Sequence, residues 1–95
     1  MNLDRKKFEK NLKKKGFRRD PAKDHIFYHH EYEGKKTGIS THFSHSLSEK
    51  DISDDLILLM KRELRLDSTK DVADLCNCPM SKEKYNGILK QKKLL

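Results

Sequence analysis

The fold of this chain is decided by residues 24–43, which read DHIFYHHEYEGKKTGISTHF. Helical patterns lie on both sides of this stretch, and Glu33-Gly34 is the only turn signal inside it. Glycine tolerates the positive φ that tight hairpin turns need, so we predict one β-hairpin closed by a two-residue loop. Counting outward from the loop pairs Tyr32 with Lys35 and His25 with His42.

Strand side chains alternate between the two faces of a sheet, so this register sorts the hairpin residues into two sets. The predicted core face carries Ile26, Tyr28, Ile39, Thr41 and Phe43. The opposite face carries His25, Phe27, Ser40 and His42. Directly opposed strand residues have Cβ atoms about 5 Å apart, so the His25 and His42 imidazoles should lie side by side.

The segment before the hairpin predicts a helix over about residues 4–15. Phe8 and Leu12 are four residues apart and share a face of this helix. Gly16 is placed to end the helix at the C′ position. Residues 17–19 predict a short first strand that ends at Asp20-Pro21.

A second helix is predicted after the hairpin, with Ser48 as N-cap and Asp51 at N3. Its apolar residues are Ile52, Leu56, Ile57, Leu58, Leu59, Met60 and Leu64. So broad an apolar surface predicts a buried helix that lies across the core face of the hairpin.

Two short helices are predicted beyond Leu66, beginning at Ser68 and Ser81 and separated by Pro79. The fold class is therefore α+β, in the order α-β-β-β-α, with a three-stranded antiparallel sheet covered on one face by two helices. We assign residues 1–66 to this domain and residues 67–95 to a C-terminal helical extension packed on it.

The positive charge of the chain is concentrated in its first half. The net charge is +7, and residues 1–47 carry 12 Lys and Arg against 6 Asp and Glu. A field of this kind attracts polyanions, nucleic acid above all, although a solvated basic surface has the same composition. No apolar run exceeds the five residues 56–60, so we expect no membrane span and a soluble, cytoplasmic protein.

The two cysteines do not suggest a disulfide framework. Cys76 and Cys78 are one residue apart, and we expect both to be reduced. No Cys-x-x-Cys or His-x-x-x-His element stands at zinc spacing on a predicted helix, so packing is the favoured role and no metal or cofactor is predicted. A zinc site made by His25, His29 and His42 is the alternative.

Several motifs of the first 66 residues resemble the HicA family of bacterial and archaeal toxins, whose members have the fold of double-stranded-RNA-binding domains. The matching segments are KKKGF at residues 13–17, DHIFYHH at residues 24–30, GKKTGIS at residues 34–40 and a histidine-containing loop before the second helix. In the family, a Gly-Ser-x-His motif opens the second strand. Its histidine matches His25, although Ala22-Lys23-Asp24 precedes it here.

The resemblance implies an mRNA interferase of a type II toxin–antitoxin system, with His25 associated with RNA cleavage and a HicB-like antitoxin as protein partner. The later histidine of the family matches either His42 or His45. If the hairpin loop has two residues, His42 lies across from His25 and would share one phosphodiester with it as general acid and general base. Free imidazole has a pKa of about 6.5, which suits both roles near neutral pH.

Basic residues around this histidine pair are predicted to bind RNA phosphates and to stabilise developing negative charge. They are Lys13, Lys14, Lys15, Arg18, Arg19, Lys23, Lys35 and Lys36. We expect His29 and His30 to be surface or partner-contact residues. The alternative function is that of a non-catalytic RNA-binding module with the same fold.

Overall fold

A computed structural model of the chain describes residues 3–44, 51–77 and 79–95. It is a small α+β protein with four helices in this described part. The helices are α1 (Arg5–Lys14), α2 (Asp54–Glu63), α3 (Thr69–Asn77) and α4 (Lys82–Gln91). The strands are β1 (Leu3–Asp4), β2 (Phe17–Pro21), β3 (His25–Tyr32), β4 (Lys35–Ser44) and β5 (Asp51–Ile52). Strands β2, β3 and β4 form an antiparallel sheet in that order, and β1 pairs with β5.

The hairpin turn has the predicted position. Tyr32 pairs with Lys35 and Glu31 with Lys36, so Glu33 and Gly34 form a two-residue loop. Their φ angles are 52° and 79°, and positive φ at both central residues is what the right-handed twist of a hairpin favours.

The register predicted farther along the hairpin is wrong because β4 contains a bulge. Between the Glu31–Lys36 pair and the His29–Ser40 pair, β4 has two residues more than β3, and Gly38 within the bulge has a φ of 86°. His25 therefore pairs with Ser44 and His42 pairs with Phe27. A shift by two residues preserves the side-chain alternation, so both predicted faces are confirmed.

Helix α1 packs on the core face of the sheet. Asp4 caps this helix by accepting a hydrogen bond from Lys6 N at 3.0 Å, and Gly16 follows it with a φ of 94°. Phe8 packs edge-on against Phe43, with 5.9 Å between ring centroids. The predicted bounds of this helix and its buried face are thus confirmed within one residue.

Helix α2 begins later than predicted. Asp51 and Ile52 pair with β1 as an extended strand, and Ser53 is the N-cap, with its Oγ accepting a hydrogen bond from Leu56 N at 3.3 Å. Ser48, the predicted N-cap, lies outside the described residues. The predicted start did not foresee that Ile52 pairs with Leu3, which keeps residues 51–52 extended and delays the helix to Asp54.

Helix α2 is also less buried than predicted. Ile57, Met60 and Leu64 are buried, whereas Leu58 is 46% exposed and Leu59 is 40% exposed. The apolar residues of α2 therefore form two opposite faces, and only one of them faces the core.

The C-terminal helices begin where the sequence predicts. Ser68 Oγ accepts from Asp71 N at 3.2 Å, and Ser81 Oγ accepts from Lys84 N at 3.1 Å. Tyr85 of α4 is buried, and its ring centroid is 5.6 Å from that of Phe17 in β2. Its hydroxyl donates to Leu64 O at 2.8 Å. These helices therefore share one hydrophobic core with residues 3–66.

No helix within the described ranges is both long and apolar enough to cross a lipid bilayer.

Candidate active site

The site that sequence reasoning selected lies on the face of the sheet opposite the core. We call it the open face and define it by the side chains of Arg18, Asp20, His25, Phe27, His29, Ser40 and His42, which strand pairing places together. The four aromatic members of this set are partly exposed. Because the rings are partly exposed, an extended ligand can reach them.

His25 and His42 lie side by side even though they are not directly paired. Their ring centroids are 5.0 Å apart and the ring planes are nearly perpendicular, at 88°. His42 pairs with Phe27, so His25 is its diagonal neighbour on the same face. Diagonal neighbours in a sheet are within reach of aromatic side chains. The predicted proximity is therefore confirmed, by a different pairing from the one expected.

Phe27 lies between the histidines of the open face. Its ring is stacked on that of His29, with 5.8 Å between centroids and 12° between planes. The centroid of His42 is 5.6 Å from Phe27 on the other side. Partly exposed rings on a sheet are the means by which several RNA-binding folds stack unpaired bases.

A carboxylate from α2 supports His42. Glu63 Oε2 is 3.3 Å from His42 Nδ1, and Glu63 Oε1 accepts a hydrogen bond from Thr41 Oγ1 at 3.0 Å. The carboxylate is therefore fixed against β4 and can hold the imidazole with Nδ1–H toward Glu63 and Nε2 toward a ligand. Sequence reasoning missed Glu63, which follows Lys61 and Arg62 at the end of α2 and carries no local signal of a role in the site.

The predicted phosphate-binding residues are divided between the two sides of the sheet. Arg18 is on the open face and paired with His29, and its exposed guanidinium is 3.6 Å from Glu31. Lys36 is opposite Glu31 and shares its face. Lys23 is exposed in the loop just before His25. The remaining exposed members lie on the core side or on α1, namely Arg19, Lys35, Lys13 and Lys14.

Lys15 does not fit the predicted role. It is buried, with 5% of its surface exposed, and its ammonium group donates to Leu75 O at 2.5 Å. We therefore remove it from the phosphate-binding set, because the group holds the end of α1 against α3. The lysine follows the last helical residue, where its long side chain can turn inward.

The expectation that His30 is a surface residue is wrong. His30 is fully buried on the core face, with Nδ1 2.9 Å from Thr37 Oγ1 and Nε2 2.9 Å from Asn86 Oδ1. Its even position in β3 places it on the same face as Ile26 and Tyr28. Burial lowers the pKa of His30 because the charged imidazolium would lose its hydration. His29, by contrast, is partly exposed, and its Nε2 lies 3.3 Å from Asp20 Oδ2.

Stability should therefore fall when the pH is lowered through the range where His30 titrates in the unfolded chain. An unfolded histidine takes up a proton near pH 6.5, whereas the folded state resists protonation of His30. The free energy of unfolding, measured by urea titration at pH 7.5 and 5.5, should decrease at the lower pH. His30→Gln should reduce this decrease. Equal pH dependence in the wild type and the His30 variant would contradict the assignment.

The remaining candidates give no second site. Within residues 3–44, 51–77 and 79–95, no group of three or more His, Cys, Asp or Glu side chains could hold a metal ion, so the alternative zinc site is not formed there. Cys76 is buried in the core. His45 and Cys78 lie outside the described residues.

No family model, curated protein or solved structure matches this chain. The open face therefore supplies the chemical indication of a function.

Proposed function

We propose that this protein is a HicA-like endoribonuclease that cleaves mRNA with His25 and His42. The observation that carries the proposal is the pair of partly exposed imidazoles with 5.0 Å between ring centroids on one face of the sheet. Two imidazoles so close can reach the same phosphodiester, one as base and the other as acid. Histidine is the residue most often used for such proton transfers.

The proposed reaction is transesterification followed by release of the 5′-product. The base removes the proton of a ribose 2′-hydroxyl, and the 2′-oxygen forms a bond to the adjacent phosphorus. The bond from phosphorus to the 5′-oxygen breaks while the acid gives that oxygen a proton. The products are a 2′,3′-cyclic phosphate and a 5′-hydroxyl, and the chemistry needs no metal ion.

Glu63 favours His42 as the base. A carboxylate 3.3 Å from Nδ1 holds the ring orientation and leaves Nε2 directed at the substrate. His25 is then the acid. Lys23, exposed two residues before His25, and Arg18, on the same face of the sheet, are the predicted cations that would hold the phosphates.

The proposal includes the double-stranded-RNA-binding-domain fold and a HicB-like antitoxin as protein partner. The fold is supported by the order α1, β2, β3, β4, α2 and by the packing of α1 on one face of the sheet. The antitoxin is supported by the motif resemblance of residues 1–66. A protein that neutralises the enzyme would have to cover the open face or otherwise prevent RNA from contacting His25 and His42.

The test is incubation of the purified protein with a long unstructured RNA in the presence of EDTA. We expect cleavage that EDTA does not inhibit, with products that end in a 2′,3′-cyclic phosphate and a 5′-hydroxyl. RNA that stays intact at high protein concentration would contradict the proposed endoribonuclease activity. Tight binding in the same experiment would then favour the alternative, a non-catalytic RNA-binding module, for which the stacked Phe27 and His29 rings are the supporting observation.

The salt dependence of RNA binding should identify the side of the sheet that RNA occupies. Contacts to four to six phosphates would give log K against log[salt] a slope of about −3 to −5, because each contact releases a fraction of a counterion. Arg18→Gln with Lys36→Gln should make the slope shallower by about 1.5. Lys13→Gln with Lys14→Gln removes the same charge from α1 and should leave the slope nearly unchanged. A larger effect of the α1 pair would place RNA on the helical side.

A further inference from the structure

Helix α2 has a second apolar face that its own chain leaves in solvent. Leu58 is 46% exposed and Leu59 is 40% exposed. At 100° per residue these two side chains point away from the buried Ile57, Met60 and Leu64. Two adjacent leucines exposed at the middle of one helix form an apolar patch of the kind that marks interaction sites.

The charges that border this patch are arranged symmetrically. Asp55 precedes Leu58 by three residues, and Arg62 follows Leu59 by three residues, on the same face of α2. Both side chains are exposed. Among residues 3–44, 51–77 and 79–95, neither has an ion pair within its own chain. Along this face of α2 the residues are therefore acidic, apolar, apolar and basic in chain order, and the centre of the pattern lies between Leu58 and Leu59.

We propose that α2 is the contact surface of a homodimer, in which the α2 helices of two copies of this chain pack antiparallel. A two-fold axis at the centre of the patch sets Leu58 of one copy against Leu59 of the other. The same axis sets Asp55 against Arg62 at both ends, so one surface complements itself. Antiparallel neighbours also align their helix dipoles favourably.

The charges on this face of α2 complement themselves, so a second copy of this chain is the partner that fits. They also require the two α2 helices to run antiparallel. In a parallel pair, Asp55 would meet Asp55 and Arg62 would meet Arg62, and both contacts would repel. A helix of ten residues is about 15 Å long and buries less than the roughly 1,200–2,000 Å² of stable interfaces. The dimer is therefore weak and depends on protein concentration.

The test is sedimentation equilibrium of the full chain between about 10 μM and 1 mM, where weak complexes of this size dissociate. Wild-type protein should pass from monomer to dimer over this range. Leu58→Glu with Leu59→Glu should remain monomeric. Leu94→Glu with Leu95→Glu is the matched control, because these leucines are 39% and 37% exposed, and it should dimerise like the wild type. Circular dichroism verifies that each variant is folded.

Charge exchange tests the direction of packing. Asp55→Arg and Arg62→Asp should each raise the dissociation constant of the dimer about tenfold or more, because each change replaces two attractive contacts by repulsive ones. The double exchange should restore wild-type association. Wild-type protein that stays monomeric at every concentration would contradict the dimer. Dimer formation by the variant with Leu58→Glu and Leu59→Glu would also contradict it. Failure of the double exchange to restore association would overturn the antiparallel arrangement.

Discussion

Replacing His25 by Ala should slow RNA cleavage by about 10²–10⁴-fold, and replacing His42 by Ala should slow it by a comparable factor. This is the usual contribution of general acid–base catalysis by a positioned side chain. Both rings are partly exposed and neither belongs to the core, so the variants should remain folded. The measurement is the single-turnover rate on a short unstructured RNA, with circular dichroism of each variant alongside.

The double variant should be little slower than the slower single variant. The two imidazoles serve one proton-transfer cycle, so removal of either one disables the cycle. The wild-type rate should also be bell-shaped in pH, since the reaction needs one neutral and one protonated imidazole. Rate losses that multiply in the double variant would indicate two independent roles and would contradict the shared phosphodiester.

His29→Ala is the matched control for the catalytic pair. His29 is on the same face and is also partly exposed, but its ring faces Asp20 and Phe27 rather than His25. We expect its loss to weaken RNA binding and to leave the single-turnover rate at saturating protein nearly unchanged. Glu63→Gln should lower that rate, because Glu63 positions the His42 ring.

The turn and the two faces of the hairpin could be predicted from the sequence because each has a local cause. Gly34 allows the turn, and strand alternation then assigns Ile26, Tyr28 and Phe43 to the core. The bulge was not predicted, although an isolated glycine inside a strand is its usual signal and Gly38 has that position. Its effect on the site is small only because the shift is an even number of residues.

The remaining errors concern contacts between segments distant in the sequence. The start of α2 at Ser53 rather than Ser48 depends on the pairing of Ile52 with Leu3. Burial of His30 depends on Asn86, which comes 56 residues later and supplies its hydrogen-bond partner. Glu63 likewise becomes part of the site only when α2 packs beside β4. Propensity and periodicity carry no information about such contacts.

The second large effect concerns the two phenylalanines of the hairpin, which lie on opposite faces. Phe43 is 2% exposed and contacts the rings of Phe8 and Tyr28, with centroids 5.9 and 5.7 Å away. Phe43→Ala should lower the free energy of unfolding by about 3–5 kcal/mol, because it removes buried apolar surface and leaves a cavity. Domains of this size are stable by only about 5–15 kcal/mol, so this one change removes a large share.

Phe27→Ala is the matched change on the open face. It should reduce stability by less than about 1 kcal/mol, because the ring is partly exposed and packs only against neighbouring imidazoles. RNA affinity should fall by about 1–3 kcal/mol if one base stacks on this ring. Urea titrations measure the first quantity, and fluorescence anisotropy with a labelled single-stranded RNA measures the second. Phe43→Leu, which keeps most of the buried volume, allows affinity to be measured on a folded core variant and should leave it nearly unchanged. If Phe27→Ala instead destabilises the protein as much as Phe43→Ala, the two faces are exchanged, and His25 and His42 belong to the core rather than to a nuclease site.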